Sequence, residues 1–156
     1  MAYTTYEFYT ATYHGTAIAT STDFERLESR GCDKLDTMTF DRLVSGLPTD
    51  TRSATKVQKA VCAVAEKLQE IETAEKLAQA GGFATDESGN LVGKIATSKS
   101  SGSESISFSA TSSIKSAVLS AAGDTQAQNR LCYDTAREYL SGVLNDDGVP
   151  LLYAGY

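Results

Sequence analysis

The run Thr55–Ala80, TKVQKAVCAVAEKLQEIETAEKLAQA, contains neither proline nor glycine, while Pro48 precedes it and Gly81–Gly82 closes it. Within it, Val57, Val61, Val64, Leu68, Ile71 and Ala78 recur at steps of three, four and seven. That spacing puts them along one side of an α-helix. Ala60, Ala63, Ala65 and Ala74 widen the apolar side, and small residues there let neighbouring helices approach closely. Lys56, Lys59, Glu66, Lys67, Glu70 and Lys76 fill the remainder, with Glu72 and Lys76 at the favourable i,i+4 spacing. A helix of this length spans ~39 Å at ~1.5 Å per residue. The rod is longer than a chain of 156 residues needs for its own core, which points to assembly. A long helix also suits a monomeric bundle, so pattern alone leaves both open.

The length sets one domain as the default and supplies enough chain for a real core. The reading is mainly α: a helical body at 1–80 and 112–144, a β-hairpin-like arm at 81–111, and an extended tail at 145–156. A formal net charge of −6 argues against a protein built to grip nucleic-acid phosphates, which requires a basic face. Cys32, Cys62 and Cys132 are far apart and no C-x-x-C occurs. They read as buried free thiols in a reducing compartment, with no zinc or redox motif. The first residues, MAYTTYEFYT, lack a secretory pattern, and no segment is apolar enough for a membrane span.

Taken in order, Tyr3, Tyr6, Tyr9 and Tyr13 share a face if Thr5–Tyr13 is helical, with Gly15 ending the helix. Thr22-x-x-Glu25 is a capping box that starts a second helix. Phe24, Leu27, Gly31, Leu35 and Met38 line that helix, and a glycine in its middle marks a close crossing with another backbone. Phe40, Leu43 and Leu47 continue the periodicity as a separate short helix. After the long helix, Gly, Ser and Thr dominate from Gly81 to Thr111. Phe83–Thr85 and Leu91–Ala96 flank an Asp86–Asn90 turn, and Ser105–Ser109 alternates with the period of a strand. If these pieces pair, they form the arm. Ile114–Ala121 is a short helix ended by Gly123, and Thr125-x-x-Gln128 is a second capping box. Leu131, Cys132, Ala136, Tyr139, Leu140 and Val143 hold one face of the last helix. Asn145–Gly148 is a turn, and the apolar Leu151–Tyr156 needs its own body or a neighbour to pack against.

A search for catalytic chemistry finds none. His14 is the sole histidine and stands beside Gly15 at a helix end, which suits capping better than catalysis. Asp33 and Asp36 fit a solvated helix face. No G-x-S-x-G, P-loop, dinucleotide fingerprint or EF-hand loop is present. The sequence therefore gives no catalytic, metal or cofactor residues. Arg26, Arg30 and Lys34 could form a basic stripe, but Glu25, Glu28 and Asp33 balance it.

Several segments, in order, carry a family resemblance. Tyr3–Ile18, Asp23–Arg30 (DFERLESR) and Asp33–Leu43 (DKLDTMTFDRL) look like the N-terminal half of head–tail connector proteins of tailed bacteriophages. Lys56–Glu66 (KVQKAVCAVAE) resembles that family's long helix, and Ser103–Ser109 (SESISFS) its S-E-S-[VI]-x-[YF]-S segment. Ala136–Gly142 (AREYLSG) and Leu151–Gly155 (LLYAG) are similar to its terminal helix and tail. Gly81–Ser101 is longer than the family pattern, and Asn145–Pro150 lengthens the join to the tail.

The resemblance implies a non-enzymatic adaptor without cofactors. It implies a homo-oligomeric ring, usually twelvefold, under the portal protein. The ring joins the filled head to the next neck or tail-completion protein and encloses a channel that DNA crosses without sequence-specific binding. The place implied is the virion neck, and the host cytoplasm before assembly, with no membrane. Expected contact residues are Ser103, Glu104, Ser105, Ile106, Phe108, Leu151, Leu152 and Tyr153, and the scaffold is Val57, Val61, Val64, Leu68 and Ile71. The rival readings are a helical DNA-packaging or nucleic-acid-binding module using Arg26, Arg30 and Lys34, and a small enzyme or its regulator with an unrecognised site, for which substituting His14 and Asp36 is the discriminating test.

Overall fold

In the computed structural model the apolar run is helical without a break as far as Gln79. The structure describes residues 2–79, 83–85, 91–99, 106–110 and 117–152, with 77–79 and the strands described by their backbone. Five α-helices make the described chain mainly helical: α1 (Tyr6–Ala11), α2 (Ser21–Met38), α3 (Thr51–Gln79), α4 (Ala117–Ser120) and α5 (Thr125–Leu140). None is long and apolar enough to cross a membrane among the described residues. Three strands, β1 (Phe83–Thr85), β2 (Leu91–Lys99) and β3 (Ile106–Ala110), lie between α3 and α4. They pair antiparallel in the order β1-β2-β3, with Phe83 opposite Gly93, Phe108 opposite Ala96 and Ile106 opposite Lys99. The register shifts between Ala96 and Ser98.

The chain divides into two compact units, Met1–Gln69 with Asn129–Tyr156, and Glu70–Gln128. The sequence boundaries of these units fall inside α3 and near the start of α5.

In the first unit, Val57, Val61, Val64 and Leu68 of α3 are buried, as their spacing requires. Phe24, Leu27 and Leu35 of α2 and Cys132, Ala136 and Leu140 of α5 are buried as well. Gly31 of α2 is buried against α3: a Cβ built there would lie 3.5 Å from the Val61 carbonyl oxygen. In the second unit, Ile71, Ala74, Val118 and Ala121 are buried. There the Gln128 amide donates to Glu75 Oε1 (2.7 Å) and to the Ala121 carbonyl (3.2 Å).

Helix ends moved relative to the sequence reading, each for a local reason. α3 begins four residues early because Asp50 caps it: Asp50 Oδ2 accepts the Ser53 amide at 2.8 Å. α2 starts from Thr20 instead of the Thr22 box. Thr20 Oγ1 accepts the Asp23 amide at 3.1 Å, which caps the helix, and donates to Asp23 Oδ2 at 2.7 Å. α5 is capped by Asp124, whose Oδ1 accepts the Gln126 and Ala127 amides, and not by Thr125. The helix expected at Phe40–Leu47 is a series of turns, because Phe40 and Asp41 both adopt positive φ (56° and 59°).

Candidate interaction surface

The N-terminal segment is pinned by polar groups that the periodicity does not announce. The buried Glu28 carboxylate accepts the Tyr3 amide (2.8 Å), the Thr4 amide (3.3 Å) and the Cys32 thiol (3.0 Å) on Oε1. From α3, the Gln58 amide donates to the Tyr3 carbonyl at 3.2 Å. Burial and the bond to Glu28 push the Cys32 thiol well above its ordinary range, and burial pushes Cys62 up to about 12. Cys32, Cys62 and Cys132 are all free and buried. Such thiols are weak nucleophiles and act as core filler.

Beside them stands an aromatic column. Tyr9 stacks on Tyr6 and Tyr13 with ring centroids 6.0 and 5.8 Å away, and meets Phe24 at 4.8 Å. The Tyr9 hydroxyl donates to Glu66 Oε1 (2.7 Å) and accepts the Ile18 amide (3.0 Å). Burial, opposed in part by the Ile18 amide, pushes Tyr9 up to about 12. Tyr13 reaches Glu66 Oε2 at 3.3 Å. The tyrosines serve the interior of this unit, with Tyr9 and Tyr3 buried and Tyr6 and Tyr13 half-buried. Tyr3 lies outside α1, whose N-cap is Thr5.

The candidate catalytic residues are not assembled into a site. His14 is exposed in a left-handed backbone (φ 60°). Asp36 accepts the Tyr3 hydroxyl at 2.6 Å, and Asp33 is exposed on α2. Among the described residues, no three His, Cys, Asp or Glu side chains converge in a way that could hold a metal ion. In the supposed basic stripe, Arg26 lies 3.9 Å from Asp23, and Lys34 donates to Asn129 Oδ1.

The surface is defined instead by large apolar side chains left in solvent: Phe40 (54% exposed), Val44 (56%), Leu144 (44%) and Tyr133 (36%). Phe40 is placed by the end of α2. The Asp41 amide bonds the Asp36 carbonyl (2.9 Å) and the Phe40 amide bonds the Thr37 carbonyl (3.4 Å), the paired bonds of a Schellman motif. That motif needs a left-handed residue just past the cap, and here it is Phe40. At the corresponding position after α5 the chain uses Gly142, with φ 74°. A left-handed non-glycine residue costs roughly 1–2 kcal/mol. The Arg42 guanidinium sits 5.3 Å above the Phe40 ring and donates to the Leu151 carbonyl at 3.1 Å, so Phe40 and the start of the tail share one anchor. Phe40, Met38 and Tyr133, with Lys34 and Arg130, line an open cleft of about 640 Å³.

A second open cleft, of about 590 Å³, lies between the start of α3 and the turn after α5. The turn is closed by the Leu144–Pro150 bridge and by Asn145 Oδ1, which accepts the Val149 and Asp147 amides. Asp146 Oδ1 accepts the amide and hydroxyl of Thr49 at 2.8 and 2.9 Å, fastening the turn to the approach of α3.

Of the expected contact residues, Leu151 is fully buried, its amide bonded to the Val143 carbonyl at 2.9 Å. The turn folds the chain back, and Leu151 packs in its own body. Leu152 is half-buried. Ile106 and Phe108 lie in β3, while Ser103, Glu104, Ser105 and Tyr153 lie outside the described residues. The scaffold residues Val57, Val61, Val64, Leu68 and Ile71 are all buried. Sequence reasoning missed Phe40 as a surface residue because its spacing matched the core stripe. The one usable signal was Asp41, a residue type that tolerates left-handed backbone.

The chain was compared with protein-family models, with curated proteins and with solved structures, and none of them matches.

Proposed function

We propose that this chain is a non-enzymatic structural adaptor of the neck of a tailed bacteriophage. Copies form a ring under the portal protein, join the DNA-filled head to the next neck or tail-completion protein, and surround the DNA channel. The ordered connector-like segments from Tyr3 to Gly155 support this reading, as does the net charge of −6, which favours passage of DNA over gripping it. In this account the 81–111 stretch, which includes the three strands, acts as a projecting arm with Ser103–Phe108 as a contact segment. Leu152 and Tyr153 continue the tail toward a neighbouring virion part.

The observation that carries the reading is Phe40. A bulky apolar side chain stands in solvent at a position where glycine fits better, and no described contact within the chain other than the Arg42 stack explains it. Phe40 keeps a left-handed backbone and lines one open apolar cleft with Met38 and Tyr133, which supports reading that face as a contact surface.

The test is genetic and biochemical. Particles made without this chain should accumulate as filled heads that fail to join tails. A truncation removing Tyr153–Tyr156, which keeps the buried Leu151, should fold normally and show the same block. Tailed, infectious particles at normal yield without the chain would overturn the proposal.

A further inference from the structure

We infer that two copies of this chain contact each other head to tail, with the Leu144–Asp147 turn of one seated in the Phe40–Tyr133 cleft of the next. The inference rests on the reading of the chain as a self-associating ring subunit. Both surfaces belong to the first unit and have no lining residue in common. A contact between two different surfaces is heterologous, the type that closes into a ring when its rotation allows.

The two surfaces complement each other in shape and charge. The cleft has an apolar floor of Phe40, Met38 and Tyr133, and its charged lining residues are Lys34 and Arg130, both basic in a chain of net charge −6. Arg130 has Asp134 at 4.0 Å, but both side chains are largely exposed, so that pair is weak and easily exchanged. The turn offers the converse: an exposed apolar Leu144 followed by the acidic Asp146 and Asp147. Arg52 and Lys56 line the cleft on the α3 side of the turn, and the contact uses the Leu144 and Asp147 side. The bridge to Pro150 and the bonds from Thr49 hold the turn in shape before it docks, which lowers the entropy lost on association. A volume of about 640 Å³ accommodates a leucine and a carboxylate together.

The experiment is a charge exchange on the full chain, read by sedimentation velocity over a protein concentration series at low salt. The wild type should associate, and association should weaken with added salt. Lys34→Asp, at a half-buried position on the cleft, and Asp147→Lys, at an exposed one, should each weaken it about tenfold or more while leaving the circular dichroism unchanged. The double variant, which restores opposite charges across every contact, should regain most of the lost affinity. Leu144→Ser should weaken association without changing its salt dependence. Association indifferent to these substitutions, or a double variant as weak as the singles, overturns the contact. A wild type that stays monomeric throughout also overturns it, and leaves the adaptor reading to the particle assay above.

Discussion

The Tyr9 ring fills the space where a side chain on Gly15 would stand: a Cβ at residue 15 would lie 2.0 Å from Tyr9 Cε2. Tyr9 is fully buried and bonded to both Glu66 and Ile18, so it has no room to yield. Gly15→Ala should therefore destabilise the fold by roughly 1–3 kcal/mol, the range for overpacking a close-packed site. Tyr9→Phe keeps the ring but leaves the buried Ile18 amide without its acceptor, at about 1–3 kcal/mol. Urea midpoints at constant m-value measure both. A Gly15→Ala protein as stable as the parent would contradict the packing described.

Phe40 makes the opposite prediction. Phe40→Gly relieves a left-handed aromatic residue and should raise stability by about 1 kcal/mol. The same change removes the exposed ring and should weaken self-association. Thermal unfolding and sedimentation on one sample report the two effects, which should move in opposite directions. A destabilised Phe40→Gly would mean that the ring contributes more to the fold than its exposure implies.

Gly31 sits mid-helix in α2, where glycine is unfavourable by roughly 0.8–1 kcal/mol relative to alanine. A Cβ there would make ordinary contacts: 3.5 Å to the Val61 carbonyl oxygen, 3.7 Å to Val61 Cγ1 and 3.8 Å to Val64 Cγ1. Gly31→Ala should be neutral to stabilising, by up to about 1 kcal/mol. Gly31→Val should destabilise, because branches beyond Cβ must enter the α2–α3 crossing. Chemical denaturation of the two variants separates the outcomes.

Asp50 gives a pH dependence. Hydrogen bonds from the Ser53 hydroxyl and amide hold its carboxyl below the usual carboxylate range. The folded protein therefore binds this proton less readily than the unfolded chain. The contribution is fully present above the ordinary aspartate value of about 4 and is lost as pH falls through the depressed one. Asp50→Asn keeps a capping oxygen without the charge. The stability difference between wild type and variant should be constant from pH 5 to neutrality and should shrink below about pH 4. Equal acid sensitivity of the two proteins would show that Asp50 does not titrate against the α3 terminus.

The helices were legible because burial imposes periodicity: Val57, Val61, Val64 and Leu68 had to share a side, and they do. Their ends were less legible because caps are degenerate. Thr20-x-x-Asp23 and Thr22-x-x-Glu25 offer the same chemistry two residues apart, and only the three-dimensional path of the chain chooses Thr20. Phe40 was misplaced because spacing is blind to the sign of φ. Which of the two supports, its own body or a neighbour, Leu151 packs on was not legible for a related reason. The Asn145–Gly148 turn is plain in sequence, but its consequence, a leucine folded back under Arg42, follows from the Leu144–Pro150 pairing across it. The polar anchors of the N-terminal segment, Glu28 and Glu66, sat among charges that read as solvated helix faces.

The central claim is best tested by counting copies of this chain on purified portal-bearing particles, by native mass or quantitative protein staining against the portal. The account predicts a fixed multiple near one copy per portal subunit, lost together with tail attachment when the chain is withheld. Its absence from finished particles, with tails still joined, would contradict the account.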